Sequence, residues 1–110
     1  MIIEVKEYVD DTGKSPFSMW FNHLEAIAAG KVSTALYRME QGNFSNAKGV
    51  GEGVSEYRID FGPGYRVYFG KDGASIVILL GGGTKKGQQK DISTAKVHWK
   101  DYKVWKRHGR

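Results

Sequence analysis

The sequence contains no cysteine, which excludes disulfide staples and every metal site built on thiolate ligands. Its three histidines, His23, His98 and His108, are scattered. No close His/Asp/Glu cluster has metal-ligand spacing, so neither a metal nor another cofactor is expected. Long apolar runs are also missing: the longest uninterrupted one is Ile76 to Leu80, far short of the roughly 20 residues a membrane-spanning helix needs. The N-terminal stretch MIIEVKEYV alternates and lacks the basic segment and apolar block of a secretory leader. A soluble cytoplasmic protein is the expectation. With 110 residues, no linker and no internal repeat, the chain reads as one domain over 1–110 with a single core.

Charge is present in excess of one sign. The formal net charge is +5, and its distribution is uneven. Residues 85 to 110 hold nine Lys and Arg against Asp91 and Asp101, a balance of +7 that leaves −2 for the remainder. Local charge of this kind favours a polyanion such as RNA, DNA or an acidic protein. It also suits a solvated helix whose C-terminal cations complement the macrodipole.

The segment from Val54 to Leu80 predicts a three-stranded antiparallel meander. Tyr57, Ile59 and Phe61 alternate with Glu56, Arg58 and Asp60, and Tyr65, Val67 and Phe69 alternate with Arg66 and Tyr68, the period of half-buried strands. A three-residue turn at Gly62-Pro63-Gly64 would set Asp60 opposite Arg66 and Arg58 opposite Tyr68. A two-residue turn at Asp72-Gly73 would set Val77 beside Tyr68 and Leu79 beside Arg66. One face then forms core, and the other a cationic, aromatic floor.

Around this meander, Ile3, Val5 and Val9 suggest an N-terminal strand. Ser15 and Pro16 open a helix through Phe17, Trp20, Phe21, Leu24, Ile27 and Ala28 that Gly30 ends. A second helix from Lys31 carries Val32, Ala35, Leu36 and Met39 and stops at Gly42. Residues 43–53 have no period and read as a loop. A last helix from Asp91 to about Lys106 buries Ile92, Ala95, Trp99 and Tyr102, and Lys96, Lys100, Lys103 and Arg107 form a second stripe. Asp91 is either a cap for this helix or part of a cleft. Trp20 and Trp99 read as core and Trp105 as partner-facing. The expected class is α+β in the order β-α-α-β-β-β-α.

Three segments in this order and spacing carry a family likeness: the E-x-R strand at Glu56–Arg58, the GPGYRVY hairpin at 62–68, and GGTKKGQQKDI at 82–92. Over nearly the whole chain the sequence resembles the RelE/ParE superfamily of bacterial toxins, in its HigB-like addiction module killer branch, which also occurs in phages. The resemblance implies a helical hairpin packed on a curved antiparallel sheet, with the active cleft on the opposite face. It further implies a type II toxin that cuts mRNA on the ribosome and inhibits translation. The expected partners are ribosome and mRNA, together with a cognate antitoxin of helix-turn-helix type. Many relatives carry an acidic residue where this chain has Thr84.

RNA cleaves itself once its 2′-hydroxyl lies in line with the adjacent phosphate, so such a protein needs to orient the strand, move protons and stabilise charge. Arg58 and Arg66 offer bidentate phosphate contacts, Lys85 or Lys86 a further positive charge, and Tyr68 a stacking surface or a hydrogen bond. These four, Arg58, Arg66, Tyr68 and Lys85, are the candidate catalytic set. Lys48, Lys86, Gln88, Lys90, Lys96, Lys100 and Lys103 are candidate RNA contacts. The same face admits a structural account in which Glu56–Arg58 and Asp60–Arg66 are cross-strand charge pairs on a wet sheet. The competing functions are a non-enzymatic ParE-like inhibitor of DNA gyrase and an inactive nucleic-acid-binding domain. Gly81-Gly82-Gly83-Thr84-Lys85 lacks the Gly-Lys-Ser/Thr ending of a nucleotide loop and reads as a flexible strand exit.

Overall fold

A computed structural model describes residues 2–109. Its elements are β1 (Glu4–Glu7), α1 (Pro16–Phe21), α2 (Ala26–Glu40), β2 (Ala47–Gly51), β3 (Val54–Ile59), β4 (Tyr65–Lys71), β5 (Ile76–Thr84), a 3₁₀ turn (Lys85–Gly87) and α3 (Gln88–His108). The class is α+β: one five-stranded sheet in the order β1-β5-β4-β3-β2, with three helices. Among the described residues no helix is long and apolar enough to cross a membrane.

The sheet is mixed, correcting the antiparallel expectation. β1 lies parallel to β5, Glu4 beside Ile76 and Glu7 beside Leu79, while the β2 to β5 pairings are antiparallel. β2 itself was hidden in the stretch read as a loop. Gly49, Gly51 and Gly53 interrupt its period, and the strand leaves its partner through an irregular register at Gly49/Gly51. Its turn needs left-handed backbone at Glu52 (φ 55°) and Gly53 (φ 83°).

The alternation assigned the faces of β3 and β4 as observed, but both turns are longer than expected. Ile59 pairs with Tyr65, leaving residues 60–64 as the loop, so Arg58 faces Arg66 and Glu56 faces Tyr68. At the next turn Lys71 pairs with Val77. The β4–β5 ladder then shifts by one residue between Tyr68 and Phe69, which sets Tyr68 opposite Gly81 and Arg66 opposite Gly83, in place of Val77 and Leu79. The three glycines at 81–83 therefore belong to a strand, not to a flexible exit. A Cβ on Gly82 would overlap the Trp20 ring, and one on Gly83 the Asp91 carboxylate, so their small size lets α1 and α3 approach the two faces.

Both sheet faces are covered. On one, α1 and α2 bring Phe17, Val32, Ala35 and Met39 onto Tyr57, Val67, Phe69, Val77 and Leu79, with Ile3. On the other, Ala95 and Trp99 of α3 pack on Val54, Tyr68, Ile78 and Leu80. This second core replaces the open aromatic floor. Val9 is exposed, and Tyr8 is the buried residue there, its hydroxyl donating to Asp101 Oδ2 at 2.5 Å. The helix boundaries also move. Glu25, not Lys31, starts α2, its carboxylate accepting from the Ala28 N–H at 2.9 Å. Gly30 lies inside that helix with open space around it. α3 begins at Gln88 with Gly87 as N-cap, so Asp91 does not cap it. Trp105 is 39% exposed, its ring tilted against Tyr102.

Candidate functional site

Directly opposed arginines repel, and the Arg58–Arg66 pair needs a counter-charge. Glu56, on the same face two residues before Arg58, supplies it. Its carboxylate is fully buried, accepts from Arg58 Nε at 2.9 Å, and stands 3.8 Å from Arg66 Nε. Gln88, the first residue of α3, donates Nε2 to both Glu56 oxygens at 3.1 and 3.0 Å. Glu56 thus ties the E-x-R strand to the start of the last helix. Sequence reading treated it as half of a wet charge pair. Its available signal was its strand row, shared with Tyr68 under α3.

Arg66 is 8% exposed. One terminal N–H group donates to the Gly64 carbonyl at 2.7 Å, fixing the 60–64 loop, and its Nε has no hydrogen-bond partner. The Lys85 backbone N–H reaches the Pro63 carbonyl at 3.4 Å, bringing the residue after β5 against the same loop. The result is an open cleft of about 220 Å³ lined by Arg58, Ile59, Asp60, Gly64, Arg66 and Lys85. Three cations face one carboxylate there, with the buried Glu56 beneath. Arg58, whose side chain is 46% exposed, also borders a depression of about 310 Å³ with Lys48 and Asn46, and one of about 290 Å³ with Lys31 and Arg38. Asn46, Lys31 and Arg38 lie on segments with no motif, and only the fold brings them to Arg58.

Three of the four candidate catalytic residues, Arg58, Arg66 and Lys85, therefore meet at one cleft, and Tyr68 does not. Tyr68 is 1% exposed, lies beneath α3, and has a hydroxyl with no hydrogen-bond partner. Burial pushes that hydroxyl up to about 12, the Glu56 and Asp91 carboxylates add to the shift, and Arg66 opposes it. It cannot stack a base. Gln88 is likewise turned inward onto Glu56 rather than offered to RNA. Of the remaining candidates, Lys86 in the 3₁₀ turn and Lys90 and Lys100 on α3 are exposed, Lys96 pairs with Glu52 at 3.3 Å, and Lys103 stands 5.8 Å over the Trp99 ring. Asp60 and Arg66 share the cleft but form no ion pair among the described residues.

A second titratable cluster lies under α3, where Tyr68, Asp91 and His98 border a space of about 90 Å³. Burial raises the Asp91 carboxyl above its usual range against the opposing charge of Lys90. Burial lowers His98, with Asp10 and Asp101 pulling the other way. Among the described residues no group of three or more His, Asp or Glu is placed to hold a metal ion.

No family model matches the sequence. An uncharacterized protein of Haemophilus influenzae is 43% identical to it over 82 residues, which span 74% of this chain and 83% of that protein.

Proposed function

We propose that this chain, which belongs to one family with the Haemophilus influenzae protein, is the toxin of a type II toxin–antitoxin pair. It is read as a RelE-like, HigB-branch endoribonuclease acting on mRNA in the ribosome. The observation that carries this reading is the convergence of Arg58, Arg66 and Lys85 on one open cleft.

Each cation has a distinct part. Arg66, held by the Gly64 carbonyl and lying over Glu56, is a preorganised positive group of the kind that stabilises charge developing on a phosphorane. Arg58, its Nε on Glu56 and its side chain about half exposed, grips the phosphate. Lys85 adds charge from the opposite rim. Tyr68 is buried away from the cleft with a raised pKa, which leaves Asp60 and Lys85 as the proton-exchanging groups of the cleft lining, and alignment of the 2′-hydroxyl falls to the ribosome. The cationic stripe of α3 is the surface for ribosomal RNA and for an acidic antitoxin segment.

Induced expression in a bacterium tests this reading. The expected result is growth arrest with cleavage of transcripts under translation, relieved by Arg58→Ala and weakened by Lys85→Ala. Intact transcripts with trapped gyrase–DNA complexes would replace it with gyrase inhibition.

A further inference from the structure

β2 covers the outer edge of β3 only as far as Tyr57, which pairs with Ala47, and the Arg58 N–H then donates to the Asn46 carbonyl at 3.1 Å. Among the described residues no strand pairs with that edge beyond this bond. α2 faces it instead, across a pocket of about 290 Å³. Arg58, Ile59 and Asp60 line this pocket and the cleft alike, so the two are continuous around the strand edge. Lys31 and Arg38, two turns apart on one face of α2, are both exposed and complete the far wall.

Among the described residues Lys31 and Arg38 have no carboxylate partner, and Asp60, the lining carboxylate, forms no ion pair. Lys31 stands 5.1 Å over the Phe61 ring, a contact that positions its charge without neutralising it. The pocket lining carries a second, independent signal. Tyr57, which belongs to it, is 1% exposed, and its hydroxyl has no hydrogen-bond partner. A buried donor left without an acceptor is costly, and an anionic oxygen brought in by a ligand supplies one. Cations gathered over such a donor match a phosphate, whose oxygens take an arginine fork and a hydroxyl together. An acidic peptide offers two oxygens per charge and has no cause to continue into the cleft. An RNA strand carries a phosphate at every residue and passes through both.

We propose that this pocket is a second phosphate subsite for the RNA strand, in which Lys31, Arg38 and the Tyr57 hydroxyl hold a phosphodiester near the one gripped by Arg58 in the cleft. The subsite rests on the cleft reading and adds the path by which the strand leaves, around the β3 edge toward α2. Fluorescence anisotropy with a labelled, uncleavable 2′-O-methyl oligouridylate, at several salt concentrations and on variants confirmed folded by circular dichroism, measures it. Lys31→Ala/Arg38→Ala is expected to weaken binding about tenfold and to reduce the slope of log K against log salt by roughly 0.7, the value for one phosphate contact. Tyr57→Phe is expected to weaken it about threefold, the loss of one hydrogen bond, with a melting temperature no lower than the parent's, because the hydroxyl has no partner in the free chain. On programmed ribosomes Lys31→Ala/Arg38→Ala should cut mRNA about tenfold more slowly at limiting protein. Unchanged affinity in either variant, or competition by oligoglutamate as strong as by RNA, would overturn the proposal. Uridine 5′-phosphate or inorganic phosphate binding as tightly as the oligonucleotide would also overturn it, in favour of a site for the free anion. The two readings fail differently: an idle cleft leaves translated transcripts uncut by the parent chain, whereas an idle pocket leaves the Lys31→Ala/Arg38→Ala chain cutting at the parent rate.

Discussion

Replacing Glu56 by alanine removes the one carboxylate shared by Arg58, Arg66 and Gln88, and the cost follows from how each is buried. The Arg58 side chain is 46% exposed, so water takes over its solvation and its share is about 0–1 kcal/mol. Arg66 has a 9% exposed side chain beside a 1% exposed Glu56, and stripping a buried charge of its partner costs about 3–5 kcal/mol. Gln88 loses its acceptor, worth about 1–3 kcal/mol. These terms share one carboxylate and do not add, so a loss of about 4 kcal/mol is expected. Glu56→Gln keeps an oxygen for Gln88 but turns a neutral amide to the arginines, with about half that loss expected. Urea unfolding followed by tryptophan fluorescence measures both. At an m-value of roughly 2 kcal/mol/M the alanine midpoint should fall by about 2 M with m unchanged. A cycle with Gln88→Ala should return a coupling of about 1–3 kcal/mol. If both Glu56 variants stay within about 0.5 kcal/mol of the parent, the cluster is an ordinary surface ion pair and its role in holding the cleft is refuted.

Gly82→Ala and Gly83→Ala should each destabilise by about 1–3 kcal/mol by forcing a methyl against Trp20 or Asp91. Gly30→Ala, inside α2 with open space around it, should stabilise by about 0.5–1 kcal/mol. Thermal unfolding of the three variants distinguishes them, and a tolerated Gly82→Ala would contradict the close seating of α1. The Lys106 ammonium and then the Tyr102 hydroxyl hold Asp72 below its ordinary pKa of 3.8. The unfolded chain therefore binds the extra proton first, and this contribution to stability is present above pH 3.8 and lost as pH falls through the lower folded value. Asp72→Asn should flatten stability against pH in that acid window, and an unchanged slope would count against the pairing. Arg58→Ala should reduce toxicity with stability within about 1 kcal/mol of the parent. Arg66→Ala should lower both, because Arg66 is buried and braces Gly64. Toxicity assays paired with melting curves separate the two, and equal stability losses would remove the distinction.

The faces of β3 and β4 were legible because alternation records which side chains share a side, and both registers differ from expectation only through turn length and the shift at Leu80. β2 was not legible, since glycines at 49 and 51 leave a five-residue strand defined by its partner rather than by side chains. The parallel pairing of β1 was equally hidden, because four residues carry no direction. At the candidate site, Arg58, Arg66 and Lys85 were singled out from residue type and motif, and the fold brings them to one cleft. Tyr68 was misplaced because an aromatic on a polar strand row looks exposed until α3 is known to cover it, and the same covering turned Glu56 and Gln88 from solvent-facing groups into the buried link between two motifs.

Cleavage in a purified translation system tests the central claim most directly. The chain is added to ribosomes programmed with a defined mRNA, and primer extension maps new 5′ ends with and without initiator tRNA. New ends confined to the codon awaiting decoding on translating ribosomes, lost with Arg58→Ala and reduced with Lys85→Ala, are the expected result. Uncut mRNA under translation, or equal cutting of free mRNA by the parent and Arg58→Ala chains, would contradict the assignment of the cleft.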